Sequence, residues 1–206
     1  MACRNRARGG TVTRERRLNL AVLIGSTRAG RFGPVPAHWI AAEAAKRDDF
    51  DVDVIDLAQV WLPDVLPESL DSPLPQAVTD LAPWLDRADV FVIVTPEYNH
   101  SFPASLKNAI DWYVDAWKAK PVAFVSYGGM AGGLRAVADL RGIFPGLHSV
   151  TVRDSVCFPN YQDHFDAEGR PADPEGCATA AKTMFDQLAW WGHVLSDARA
   201  RQPYPG

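Results

Sequence analysis

Cysteine is scarce in this chain. Cys3, Cys157 and Cys177 are widely spaced, and no two form a C-x-x-C pair. A disulfide framework is thereby excluded, and a thiolate metal site lacks ligands. The histidines, His38, His100, His148, His164 and His193, have neither the i, i+4 nor the paired-cysteine spacing of a zinc site, so no metal is expected. Long apolar runs are missing too. Nothing approaches the roughly 18 apolar residues of a membrane span, and residues 1–17 hold no apolar stretch fit for a secretory signal. A cytoplasmic protein with no membrane partner is the expectation. G-x-S-x-G, a Ser/His/Asp arrangement, G-x-G-x-x-G and the Walker loop are also absent, which leaves no obvious nucleophile and none of the common pyrophosphate cradles.

Neither sign of charge dominates, at 21 Lys+Arg against 25 Asp+Glu, but the charges are unevenly placed. Arg4, Arg6, Arg8, Arg14, Arg16 and Arg17 face only Glu15 in residues 1–17, so the rest of the chain is more acidic than the total implies. An acidic body argues against a nucleic-acid partner. Residues 1–17 are expected to form a disordered arm, 18–200 a single domain and 201–206 a tail, since 206 residues suit one core.

What is present is a regular alternation. "LNLAVLI" (18–24), "FDVDVIDL" (50–57), "DVFVIVT" (89–95), "PVAFVSY" (121–127) and "SVTVRDSVCF" (149–158) read as strands, the third and fourth nearly continuous in apolar character. Helical patterns at 34–47, 74–87, 103–117 and 133–144 lie between them, and a last helix follows Asp173-Pro174, a cap and a first-turn proline. Its stripe of Cys177, Ala181, Met184, Leu188, Trp191 and Leu195 packs on the sheet, while Trp190 stands off it, covered by the tail or by another subunit. Strands alternating with helices make an α/β fold, a parallel sheet wrapped on both faces. The proline-rich stretch 61–76 and the stretch 159–173 are irregular.

In such a sheet ligands bind beyond the carboxyl ends of the strands. Three loops fall there. "GSTRAGRFG" (25–33) offers successive amides, the hydroxyls of Ser26 and Thr27, and the charge of Arg28 or Arg31, a set suited to one terminal phosphate; a plain Gly/Ser turn is the alternative. In "TPEYNHSFP" (95–103), Pro96 stiffens the strand exit and leaves the amides of Glu97, Tyr98 and Asn99 for the polar edge of a planar ring such as a flavin, although a tight turn explains the stretch equally well. On that reading the path of the main chain matters more than these side chains. "SYGGMAGG" (126–133) spends four glycines in six residues, which lets backbone approach a ligand closely.

As a set, "GSTRAGRFG", "TPEYNHSFPASLKNAIDW" and "SYGGMAGGLRAVADLRGIF" resemble the NADPH-dependent FMN reductase family, over roughly residues 18–158. The resemblance implies a flavodoxin-like three-layer α/β/α sandwich with a five-stranded parallel sheet in the order 2-1-3-4-5. It implies that Ser26, Thr27 and Arg28 hold the FMN phosphate, with Arg31 supplying a contact because Gly33 stands where many relatives have serine. Pro96, Glu97, Tyr98 and Asn99 would line the isoalloxazine, and Ser126, Tyr127, Gly128, Gly129, Gly132 and Gly133 would border its other side.

The implied activity is ping-pong: NADPH or NADH gives a hydride to flavin N5, and two electrons pass on to free FMN, a quinone or a similar small acceptor. No catalytic side chain is expected, because the flavin carries the chemistry. Tyr98, His100 and Met130 would shape the acceptor pocket, with His100 a loop residue bonded to local backbone rather than an acid. The resemblance also implies a homodimer or homotetramer. A flavodoxin-like electron carrier or a flavin-sensing interaction protein is the alternative.

Overall fold

The apolar stretches become strands because both of their faces find cover. In the computed structural model, which describes residues 16–67 and 73–205, β1 (Leu18–Ile24), β2 (Phe50–Asp56), β3 (Val90–Pro96) and β4 (Pro121–Tyr127) are joined by parallel pairing throughout. The fifth position of the sheet is shared by two short strands, β5 (Val150–Thr151) and β6 (Val156–Phe158), both parallel to β4. The order is β2-β1-β3-β4-β5, with β6 on β4 further along. Flavodoxin-like order is thus present.

The stretch expected as one strand over 149–158 is interrupted. Val152 still donates its amide to the Val122 carbonyl at 2.9 Å, but the next three residues, Arg153, Asp154 and Ser155, leave the ladder. Gln187 holds that excursion, accepting from the Asp154 amide at 3.2 Å and donating to its carboxylate. Three consecutive polar residues have no place in a strand covered on both faces.

Alternation along the strands separates two cores. Leu18, Leu20, Val22 and Ile24 pack with α1 (Pro34–Ala45) and α5 (Pro174–Arg201) on one face. Ala21 and Leu23 pack on the other with residues of α2 (Gln76–Arg87), α3 (Ala104–Trp112) and α4 (Leu134–Ile143). The helix expected over 103–117 ends early: Tyr113 turns to φ −122°, ψ 50°, and a 3₁₀ turn, Val114–Trp117, follows. That turn drives Trp117 into the core, fully buried against Phe91 and Phe144 at ring distances of 4.6 and 5.4 Å. At α5, Asp173 accepts from the Gly176 amide at 3.0 Å and Pro174 occupies the first turn, as expected. The buried stripe of α5 includes Ala181, Met184 and Leu188, joined by Phe185, Ala189 and Gly192.

The amino ends of the strands are closed by a polar network. Asp89 receives the Asn19 amide at 2.9 Å and Arg16 at 2.9 Å, with Arg199 at 3.5 Å. Burial alone would raise the Asp89 pKa, but the hydrogen bonds from Arg16 and Asn19 bring it below the usual carboxylate value. Beside it Lys120 donates to the Leu85 and Asp86 carbonyls, at 3.0 and 2.8 Å, in the last turn of α2. Burial pushes that amine down to about 8.

Of the Arg-rich arm, residues 1–15 lie outside the described residues, whereas Arg16 is bound to Asp89 and Arg17 to the Phe50 carbonyl. In the tail, Tyr204 lies with its hydroxyl 3.1 Å from His148 Nδ1. Trp190 is 60% exposed and packs edge-on against Trp191. Among the described residues no helix is long and apolar enough to cross a membrane.

Candidate functional site

Three loops meet beyond the carboxyl ends of β1, β3 and β4, around a cavity of about 170 Å³ lined by Arg28, Arg31, Phe32, Pro96, Glu97, Tyr98, Tyr127, Gly128, Gly129 and Tyr161. The convergence follows from parallel topology, which sets every strand's exit on the same edge. Arg28 bridges two of the loops, its guanidinium 5.9 Å from the centre of the Tyr98 ring.

In the first loop, Gly25 still belongs to the sheet, its amide on the Val94 carbonyl at 2.9 Å. The amides of Ser26, Thr27, Arg28, Ala29 and Gly30 make no hydrogen bond among the described residues, and 27–30 are exposed. Successive open amides with an arginine beside them form a nest for an anion. Arg31 is placed differently from Arg28. It grips the Asp56 carboxylate with both terminal nitrogens, at 2.6 and 2.5 Å, and donates to the Ser26 carbonyl at 3.0 Å. The hydrogen bond to Asp56 raises its pKa. Its donors hold the loop to the end of β2. Thr27 lines a neighbouring recess with Leu57, Ser105 and Asn108.

The second loop corrects an expectation. The Glu97 amide continues the ladder to the Tyr127 carbonyl at 3.1 Å, and the Tyr98 amide is bonded to the Ser101 carbonyl at 2.8 Å. Neither is open to a ring; of the three expected donors only the Asn99 amide is unbonded among the described residues. The cause is a two-residue turn. Tyr98 and Ser101 exchange both backbone hydrogen bonds, while Asn99 and His100 take φ of 48° and 72°. The Glu97 side chain is not idle either: its carboxylate pairs with Arg135 at 2.8 Å and accepts the Arg135 amide at 3.3 Å, in the first turn of α4. Ser101 adds a second tie from this turn to α4, donating to Asp139 at 2.7 Å.

In the third loop Tyr127, Gly128 and Gly129 line the cavity. Ser126 is fully buried and donates to the Gly132 carbonyl at 2.9 Å. Gly132 and Gly133 have φ of 59° and 89°; a Cβ on the first would collide with the Cys157 sulfur, and one on the second would stand 2.6 Å from the Ser126 Cβ. These three residues shape the loop from beneath rather than bordering the ring as expected. Met130, expected in the acceptor pocket, is 91% exposed and outside the cavity lining, as is His100 at the turn's tip; Tyr98 is in it.

Two wall residues were missed. Phe32 and Tyr161 stand 4.6 Å apart between ring centres, each 5.6 Å from the Tyr127 ring. Tyr161 is carried there by its amide on the Gly128 carbonyl at 3.2 Å. The only signal for it was the irregular stretch 159–173. Aromatic faces, exposed backbone at Gly129 and an arginine-flanked amide nest fit a planar ring bearing a phosphate, as FMN does. The ring would lie among Tyr98, Tyr127, Gly128 and Gly129, and the phosphate on residues 26–30 with Arg28.

A family model describing NADPH-dependent FMN reductases matches residues 18–163, which takes in all three loops and Tyr161. The chain belongs to that family. It is 31% identical over 181 residues to the 2-hydroxy-1,4-benzoquinone reductase of a Burkholderia species, covering 84% of this chain and 96% of that protein. It is also 31% identical over 144 residues to the NAD(P)H-dependent FMN reductase of Saccharomyces cerevisiae, 63% of this chain and 75% of that one. In fold it resembles the flavoenzyme NAD(P)H:acceptor oxidoreductase of Paracoccus denitrificans, with a TM-score of 0.70 at 22% identity over 86% of this chain and 98% of that one. This FMN reductase family member is accordingly an oxidoreductase that uses FMN and NAD(P)H.

Proposed function

We propose that this FMN reductase family member passes two electrons from NAD(P)H to a small oxidised acceptor, a quinone or free FMN, which take turns in one space above the cavity. The observation that carries the reading is the convergence of an anion nest, an aromatic-walled cavity and an exposed backbone face at one sheet edge. The likeness to quinone and FMN reductases supports the acceptor class.

When bound, FMN supplies the two-electron exchange. The protein's share is to bind, orient and screen. Arg28 and the amides of 26–30 would fix the phosphate end, and Tyr98 with the backbone of Gly128 and Gly129 would hold the ring plane. The amides of Asn99 and Gly129, which make no hydrogen bond among the described residues, are available as dipoles for negative charge on the ring. Glu97 and Ser101, clamped to α4, keep the Asn99 turn in position.

Subunit association as a homodimer or homotetramer fits the exposed Trp190 and Val194, one turn apart on α5. A cytoplasmic setting fits Cys157 and Cys177, both free thiols. The deciding experiment is anaerobic: NADPH added to the purified, FMN-loaded protein should bleach the flavin without a second protein. Bleaching only in the presence of a partner reductase would make this an electron carrier instead.

A further inference from the structure

The phosphate loop rests on a hydroxyl pair that no loop motif reveals. The Tyr127 hydroxyl lies 3.2 Å from Ser26 Oγ, and both residues are buried, Ser26 completely. The backbone of Gly33 covers the pair: a Cβ there would collide with the Ser26 hydroxyl and stand 2.9 Å from that of Tyr127. So glycine at 33 and tyrosine at 127 form one arrangement. In place of a side chain on residue 33 at the start of α1, this chain brings a phenol up from the end of β4.

The pair has a direction. A phenol is the better donor, so Tyr127 donates and Ser26 accepts. Burial pushes the Tyr127 pKa up to about 12, which keeps its proton in place across the working range. The Ser26 hydroxyl then retains its own proton, and that proton has no acceptor among the described residues. Because Ser26 is wholly buried and Gly33 lies over the pair, this hydrogen bond does not face the anion; it fixes the path of residue 26, from which the exposed amides of Thr27 to Gly30 continue. Tyr127 is also where the three loops join: its carbonyl receives the Glu97 amide, and its ring packs against Phe32 and Tyr161.

We infer that Tyr127 is a positioning residue for phosphate recognition, acting through Ser26, and that it contributes, in this chain with glycine at 33, to distinguishing a phosphorylated flavin from riboflavin. The inference rests on the reading of 25–33 as the FMN phosphate loop. Its test separates the two.

Apo protein is titrated with FMN and with riboflavin by fluorescence quenching. The unaltered chain should prefer FMN; equal affinities would remove the phosphate reading and this inference with it. Tyr127→Phe keeps the ring and deletes the hydroxyl. It should weaken FMN about tenfold, the scale of one hydrogen bond that holds the phosphate loop in place, and leave riboflavin within about twofold. In a Ser26→Ala background the same change should have no further effect on FMN. Gly33→Ser alone should weaken FMN by crowding the pair, whereas Gly33→Ser with Tyr127→Phe should regain most of the lost affinity, because Ser26 can turn into the vacated space and the new hydroxyl, which points at the pair, can replace the deleted phenol as its partner. Equal weakening of both flavins by Tyr127→Phe would show a merely structural ring. Full additivity of the Ser26 and Tyr127 changes would overturn the route through Ser26.

Discussion

At the amino end of the sheet Asp89, Lys120, Arg16 and Arg199 are committed to one another and to backbone carbonyls; at the carboxyl end successive amides, from Ser26 to Gly30, have no protein acceptor among the described residues. Both ends face the same exposure of strand termini, and both are rich in arginine. They differ in completion. Buried polar groups that find partners stabilise and specify a fold, whereas donors left open on a rigid frame constitute recognition capacity. If that contrast is right, damage at the amino end should appear as lost stability with normal flavin binding, and damage at the carboxyl end as the reverse.

The largest effect is expected from Asp89→Ala. It leaves the Asn19 amide without its acceptor and two arginines without their counter-charge at a position only 7% exposed. A loss of roughly 3 kcal/mol in urea unfolding is expected, at the low end for breaking a buried pair because Arg16 is largely exposed. FMN affinity of the folded fraction should not change; a large change would show that the two ends are coupled.

Next is the alkaline behaviour of Lys120. Its folded pKa, about 8, lies below its ordinary 10.5, so between those values the unfolded chain holds a proton that the folded one has released. Stability from this group therefore rises with pH across that window and is lost as pH falls through about 8. Lys120→Met should lack the rise. The difference between the two proteins, on the order of 2 kcal/mol by pH 10, follows from about 1.4 kcal/mol per unit reduced for residual solvent. Taking the difference cancels the opposing loss from Tyr127, whose raised pKa stabilises below pH 10 and ceases to do so as pH climbs toward about 12. Parallel pH profiles for the two proteins would refute the assignment.

On the other side of the comparison, Arg28→Ala should weaken FMN about tenfold, or roughly 1.5 kcal/mol, as one exposed charge-assisted hydrogen bond is lost. Riboflavin binding and the urea midpoint of the apo protein should hold. Arg31→Ala should instead lower stability, since it releases Asp56 and the Ser26 carbonyl.

That division between Arg28 and Arg31 also marks the limit of what could be read in advance. Strand periodicity gave the sheet, and topology then put all three loops on one edge. Which atoms in those loops face outward depends on partners distant in sequence: Asp56 claims Arg31, Tyr127 claims the Glu97 amide, and Arg135 claims the Glu97 carboxylate. Composition of a nine-residue window cannot report such claims. Residues 149–158 failed for a similar reason, because Gln187, more than thirty positions away, stabilises the excursion at Asp154. Tyr161 was invisible since nothing in an irregular segment tells which aromatic turns inward.

The smallest effect tests whether strain belongs to the open end. Asn99 and His100 occupy consecutive left-handed conformations, which the turn between Tyr98 and Ser101 demands and for which glycine and asparagine are suited. Asparagine tolerates this; histidine does so at a cost of about 1–2 kcal/mol. His100→Gly removes that cost but enlarges the freedom of the unfolded chain by roughly 0.5–1 kcal/mol, so a net gain near 0.5 kcal/mol is expected, a few degrees or less in Tm. Asn99→Val goes the other way, by about 1 kcal/mol, because a β-branched side chain is poorly accommodated there. Anaerobic flavin reduction by NADPH should be preserved in His100→Gly, since the turn keeps its two hydrogen bonds to Ser101 and its amides keep their positions. If instead the glycine variant gained no stability and lost reduction, the imidazole would be acting on the substrate, and the turn would be chemistry rather than strained scaffold.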